Sequence, residues 1–298
     1  MRPYVIVTPD FAHVCAGITT LHKLCQMLNE RGYIAYTTGR KAGPAFPEFN
    51  LVKSTHDLSK EEAQYLQYNG VVVYPDIAPG NPLRFTNVVR WWVGIPQYVP
   101  EKELVVSLAE NHDHKVKVED HLCIWHTEKK FQPPEVENRD RTCFIVHKGG
   151  WIPRRPETNP PCVEIASQFS RDGLIDLLQH SSILYSYDDC TLLTVESRLC
   201  GCPAQIFDYT SFTKESLATS SFSTFAMTFP GEKVDMVKLR DELPLFYNAY
   251  RERELKTERE LDVFIEKTQT MNFPYVENPL HEQAPQTWLP WNQFGVRI

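Results

Sequence analysis

The apolar positions of the chain alternate between two periods. Short continuous apolar runs recur at Tyr4–Val7, Tyr33–Thr38, Val71–Tyr74, Leu104–Leu108, Thr142–Val146, Val163–Ala166, Ile183–Tyr187 and Ala204–Phe207. Such runs, without polar alternation, predict strands buried on both faces, as in a parallel sheet. Between them the apolar residues fall three and four apart. From Ile18 onward Leu21, Leu24, Cys25 and Leu28 trace one helical face that closes at Arg31-Gly32. Asp57–Gln67 predicts a second helix. Ser170–His180 predicts a third, with Ser170 as N-cap and Leu174, Leu177 and Leu178 turned inward. Val234–Thr268 predicts one or two charge-rich helices broken at Pro244. Val116–Trp125 reads as further strand, and Ser216–Met227 follows neither period. Strands alternating with helices predict an α/β fold.

The pattern lapses between Thr127 and Arg141, where Lys129, Lys130, Pro133 and Pro134 interrupt any apolar period. Residues 131–141 therefore read as a linker between a domain of residues 1–130 and another of residues 142–270. The tail, 271–298, carries Phe273, Tyr275, Trp288 and Trp291 among prolines and is expected to pack back on the first domain. A length of 298 residues suits two modest α/β domains. The net charge of −7 argues against a broad nucleic-acid-binding surface, while leaving room for a local basic groove. Nothing near Met1 has the sections of a signal peptide, and no apolar run approaches the ~20 residues of a membrane span. A cytoplasmic protein is expected, with peripheral contact to a membrane left open. The eight cysteines are scattered and show no repeated C-x2-C spacing, so buried reduced thiols are expected and no metal site is.

Candidate chemistry concentrates in HSSILYSYDDCTLLTVESRLCGCP, residues 180–203. A buried strand, an acidic loop and a helix follow one another. Asp188 or Asp189 is placed to cap the helix, and Gly201 to end it before Pro203. Asp188 and Glu196 are separated by seven residues. An ionised carboxylate can accept both hydroxyls of a ribose diol, and a helix start favours an anion. The segment resembles the E-x7-E signature of retaining glycosyltransferases of the GT-B fold, family 4 and its relatives, with Asp in place of the first Glu. The resemblance implies two Rossmann-like domains facing across a cleft. It also implies that Asp188 faces the donor sugar's hydroxyls, Glu196 the ribose, and the helix start at Thr191 the diphosphate.

Other segments extend the resemblance. His147-Lys148-Gly149-Gly150 ends the first strand of the second domain, where GT-B enzymes set a basic residue against the diphosphate; Lys148, with Arg154 from the adjacent loop, is the candidate. Ala16-Gly17 stands where these enzymes carry a glycine-rich turn under the donor phosphates, although a plain tight turn would also use Gly17. VVVYPDIAPGNPLRFTNVVRWW, residues 71–92, resembles a pattern of bacterial polysaccharide glycosyltransferases in which a proline-rich loop precedes an Arg-Trp helix. On that likeness Asp76, Asn81 and Arg90 would handle the acceptor. His112, after the strand at Leu104–Leu108, matches a histidine that approaches the donor sugar.

These likenesses imply a nucleotide-sugar glycosyltransferase that retains anomeric configuration and needs neither cofactor nor metal. The acceptor expected is a glycan or glycolipid. A DNA base, as in phage DNA glucosyltransferases, is a less favoured acceptor. A sugar-nucleotide epimerase of GT-B shape and a non-catalytic binding protein are the alternatives.

Overall fold

A computed structural model describes residues 1–13, 15–93, 103–108, 118–166, 169–209, 212–219 and 223–271. The described residues of Met1–Glu110, His114–His126 and Lys256–Ile298 form one compact unit, and those of Thr127–Leu255 the core of a second.

The first unit is built on a parallel sheet of β1 (Tyr4–Ile6), β2 (Ala35–Thr37), β3 (Lys53–Ser54), β4 (Val71–Pro75), β5 (Asn87–Trp92), β6 (Leu104–Ser107) and β7 (Asp120–His121). Their order across the sheet is β3-β2-β1-β4-β5-β6-β7. Every residue of β1, β4 and β5 is buried, the signature of a sheet covered on both faces. Alternate side chains serve the two faces. Tyr4, Ile6, Val71, Val73, Val89 and Trp91 pack with Leu21, Leu24 and Leu28 of α1 (Ala16–Glu30), whereas Val5, Val7, Val72, Tyr74 and Val88 pack with Leu66 of α2 (Lys60–Asn69). A capping box starts α2: Ser59 Oγ accepts from Glu62 N at 3.2 Å and Glu62 Oε2 from Ser59 N at 2.8 Å.

The second unit carries β8 (Arg141–Ile145), β9 (Val163–Glu164), β10 (Ser181–Ser186), β11 (Ala204–Ile206) and β12 (Met227–Thr228), all parallel, in the order β12-β11-β10-β8-β9. Its helices are α3 (Arg171–Gln179), α4 (Leu193–Leu199), α5 (Lys214–Thr219), α6 (Met236–Asp241) and the first half of α7 (Leu243–Thr270). Ser170 caps α3 as expected, its Oγ accepting from Gly173 N at 3.1 Å. Leu174, Leu177 and Leu178 enter a core with Cys143, Leu184, Cys200 and Cys202.

Three sequence expectations change. Phe131, placed in the linker, is buried in that same core. The chain breaks at Glu242, not Pro244, which sits in the first turn of α7 where its missing N–H leaves no bond unmade. From Lys256 onward α7 belongs to the first unit, with Leu261, Phe264 and Ile265 in its core. The tail from residue 272, expected to pack there, lies outside the described residues.

Candidate functional site

In the second sheet β8 and its successor β9 run to one side, and β10 returns to the other side of β8. The strand order therefore reverses between β8 and β10, and the loops leaving their carboxyl ends bound the crevice where open α/β sheets bind ligands. Tyr187 N donates to Ile145 O at 2.9 Å, so the two loops leave side by side. The first then tightens into a 3-10 turn, His147–Gly149, closed by Gly149 N donating to Val146 O at 2.8 Å. Gly149 has to be glycine: a Cβ there would lie 1.8 Å from the Tyr187 carbonyl oxygen.

Asp188 sits between the loops and is fully buried. Its Oδ2 lies 2.8 Å from His147 Nδ1 and 3.8 Å from Lys148 Nζ, and its Oδ1 accepts from Cys190 N at 3.0 Å. Lys148 Nζ also donates to Cys190 O at 3.0 Å. A buried carboxylate is tolerated when such donors surround it. Asp188 was expected to face a sugar's hydroxyls; its carboxylate is instead buried and bound to its own neighbours, His147, Lys148 and Cys190 N. Burial pushes the Cys190 thiol up to about 12, so it is neutral.

The helix α4 begins at Leu193, later than a cap at Asp188 or Asp189 requires, because Asp188 closes a turn on Cys190 instead. Thr191, expected at the diphosphate, is occupied in starting the helix: its Oγ1 accepts from Leu193 N at 3.3 Å and its carbonyl from Thr194 Oγ1 at 2.9 Å. The far end is a Schellman motif, with Cys202 N donating to Ser197 O at 2.8 Å and Gly201 N to Arg198 O at 2.9 Å around Gly201 at φ +75°. A Cβ at Gly201 would also stand 2.4 Å from Arg139 Nη2, which donates to Cys200 O. Gly201→Ala should cost about 1–2 kcal/mol in a urea titration, the usual penalty for a left-handed non-glycine residue.

Glu196, on α4, is buried and ion-paired. Its Oε1 lies 2.6 Å from Arg171 Nη2, while Arg171 Nε reaches Glu128 Oε1 at 2.5 Å and the guanidinium stacks 4.5 Å from the Phe131 ring. Burial lifts the Glu196 carboxyl to about 7, with the Arg171 charge pulling the other way. For Arg171, burial works to lower the pKa, but the two carboxylates outweigh it and hold the guanidinium charged. Neither Arg171 nor Glu128 stood out in the sequence, since each is an ordinary charged residue far along the chain from Glu196.

The remaining candidates take structural roles. Arg154 lies over Phe144 and Tyr187, 5.0 and 5.4 Å from their ring centres, and pairs with Glu164 at 3.2 Å. Gly17 is the second residue of α1 and forms no turn; a Cβ there meets nothing within 4 Å. The close-approach glycine of that sheet edge is Gly39, where a Cβ would lie 2.0 Å from Pro9 O. Asp76, Asn81 and Arg90, expected at the acceptor, hold their own loop. Arg90 is fully buried in strand β5 where the likeness implied a helix; it pairs with Glu103 at 2.8 Å, donates to Ala78 O and Gly80 O, and lies 4.9 Å over Tyr74. Asn81 Oδ1 accepts from Tyr74 Oη and Phe85 N, both at 3.1 Å, and Asp76 Oδ1 accepts from Val93 N at 3.1 Å. A guanidinium so enclosed has no face to offer an acceptor. His112 lies outside the described residues.

No group of three or more His, Cys, Asp or Glu among the described residues is disposed to hold a metal ion, and none of their helices is long and apolar enough to cross a membrane. No family model matches the sequence, and neither does any curated protein. Among solved structures, an O-GlcNAc transferase mutant of Thermobaculum terrenum is similar over 90% of this chain and 67% of its own, at 9% identity and a TM-score of 0.52. A glycotransferase of kitacinnamycin (11% identity, TM-score 0.41) matches over 90% of this chain and 100% of its own. A UDP-GlcNAc 2-epimerase of Neisseria meningitidis (9% identity, TM-score 0.41) matches over 91% of this chain and 100% of its own. With its two parallel sheets and their helices, the chain has the two-domain α/β fold of the GT-B glycosyltransferases.

Proposed function

We propose that this chain is a glycosyltransferase that takes a sugar from a nucleotide-sugar donor held at the carboxyl edge of the second unit's sheet. One observation carries the reading: where that strand order reverses, a cation, Lys148, reaches the buried Asp188 beside a glycine, Gly149, packed closely on Tyr187, with Glu196 in the helix that follows. Lys148 supplies a compact charge for the diphosphate. Glu196 accepts hydrogen bonds from the ribose; among the described residues no donor reaches its Oε2. Negative charge grows on the leaving diphosphate as the glycosidic bond breaks, and a cation fixed there beforehand stabilises it without a divalent ion. Retention of configuration follows from the likeness to E-x7-E enzymes. The acceptor is a hydroxyl of a glycan or glycolipid.

A panel of UDP-, GDP-, ADP- and dTDP-sugars tested by thermal shift checks this reading. A ligand at a hundred times its Kd adds about 2.7 kcal/mol. No stabilisation by any donor would remove the proposal. Conversion of a donor without any acceptor would replace it with an epimerase, and salt-dependent retardation of duplex DNA would replace the acceptor.

Glu196→Gln separates a binding role from a structural one. A buried carboxyl lifted to about 7 is a burden on the fold when ionised, so at pH 8 the amide should raise stability by about 1 kcal/mol or more. It should weaken the donor at least about tenfold, as a lost charge-assisted hydrogen bond does. A variant that is destabilised at pH 8 with donor affinity intact would give Glu196 a structural task only.

A further inference from the structure

We propose that His147, oriented by the buried carboxylate of Asp188, binds the diphosphate of the donor beside Lys148, and that its protonation sets how tightly the site holds that anion. The inference rests on the nucleotide-sugar reading above and deepens it.

Asp188 makes no contact with solvent, so it cannot meet a ligand directly. What it does is fix His147. A carboxylate only accepts hydrogen bonds, so the imidazole nitrogen 2.8 Å away, Nδ1, carries the proton. The other nitrogen, Nε2, is left on the outer side of the ring, and the side chain is 63% exposed. The imidazole thus has one fixed edge and one offered edge, at the point where the strand order reverses.

The backbone makes the same case. His147 has φ +31°, a conformation that L residues with a Cβ rarely adopt. It is held there by the tight turn that Gly149 closes against Tyr187. Strain of this kind persists where the surroundings enforce it, and it accumulates at ligand sites. Here its effect is to carry the imidazole onto Asp188.

The charges select the ligand. Around the ring stand Asp188 and Lys148, and on the β10 loop Asp189, whose Oδ2 accepts from Phe212 N at 2.8 Å, and the neutral thiol of Cys190. Arg154, over the Tyr187 ring, is the next cation. Asp188 offsets one of the two cations it touches. Once His147 is protonated, two cations share the one carboxylate they both touch, Asp188, while the second buried carboxylate, Asp189, is engaged by Phe212 N; an anion with several acceptor oxygens suits the face that the two cations present. The second positive charge is present while the imidazole is protonated and lost when it is not, so anion binding follows the protonation state of the ring.

The test is calorimetric titration of the full chain with inorganic pyrophosphate, then with UDP, GDP, ADP and dTDP, at pH 6 and pH 8. The variants are His147→Asn, an amide that tolerates positive φ, and Asp188→Asn. Comparing each variant with the wild type at the same pH removes the ligand's own titration. His147→Asn should bind about tenfold more weakly than wild type at pH 6 and within about threefold of it at pH 8. Asp188→Asn should show the same loss of pH sensitivity, because an amide no longer fixes the imidazolium. Should either variant fold poorly, the Nε2 resonance of His147 in the wild type is the second readout, and it should move on addition of pyrophosphate. If wild type binds a diphosphate and His147→Asn binds it equally at both pH values, or the resonance stays put, His147 is a surface residue and the inference falls while the donor reading stands. If wild type binds none of the five ligands, both fall.

Discussion

Arg171→Met should destabilise the second unit by about 3–5 kcal/mol, the loss typical of a buried ion pair deprived of one partner. Arg171 stands between two carboxylates, Glu128 at 2.5 Å and Glu196 at 2.6 Å, and both are largely shielded from water. Methionine keeps the packing against Phe131 but leaves two buried acids with no counter-charge. The loss should depend on pH in a direction the carboxyl settles. Glu196 has a folded value of about 7 against 4.5 unperturbed. A raised acid costs nothing below the lower value, where it is protonated in both states; the cost grows between the two and is complete above the higher. Removing the arginine lifts the folded value further and extends the window upward. Urea titrations at pH 5 and pH 8 should therefore show the larger deficit of Arg171→Met at pH 8, and Glu196→Gln in the same background should recover part of it. Equal deficits at both pH values would mean that packing, and not charge, is what Arg171 supplies.

The strands that were legible from the sequence are those whose environment leaves apolar residues no alternative. Tyr4, Val5 and Ile6, or Val71 to Val73, lie in a sheet covered on both faces, and a continuous apolar run is the pattern that meets this without polar partners. β5 escaped because Arg90 stands in it. A charge in a fully buried strand is stable only through Glu103 and the carbonyls of Ala78 and Gly80, and no local window contains all of these partners. β3 and β12 are two residues each, too short to carry any period, whereas β7, equally short, lies inside the Val116–Trp125 run that reads as strand. At the candidate site the spacing of Asp188 and Glu196 drew attention to one loop and helix, since both acids are close in sequence and share one strand-loop-helix unit. Their tasks were less legible. Whether an acid faces outward or inward depends on His147, Lys148 and Arg171, which arrive from β8 and α3, and a pattern read along the chain does not register what arrives across it.

Gly149→Ala joins these two levels, because the residue that lets the loops close also places the groups that would meet a ligand. The added methyl would fall 1.8 Å from the Tyr187 carbonyl oxygen and 2.5 Å from its carbonyl carbon, well inside contact distance. Both are backbone atoms at the carboxyl end of the central strand pair, so no side-chain rotation relieves the clash, and one loop has to move. Overpacking of this kind costs about 1–3 kcal/mol. The loop freer to move is that of His147–Gly149, since Tyr187 is tied down by its N–H to Ile145 O and by its hydroxyl, which accepts from Arg155 N at 2.7 Å. Shifting it separates His147 and Lys148 from Asp188, whose carboxylate would then be buried with fewer donors. Calorimetry should show pyrophosphate binding weakened by at least about tenfold, since misplacing a fixed charge by an ångström forfeits most of a charge-assisted contact. Gly150→Ala is the control: a Cβ there comes no nearer than 3.9 Å to any atom, and the variant should keep both its stability and its affinity. If Gly149→Ala lost stability but bound pyrophosphate as well as the wild type, the turn would support the fold without placing the site.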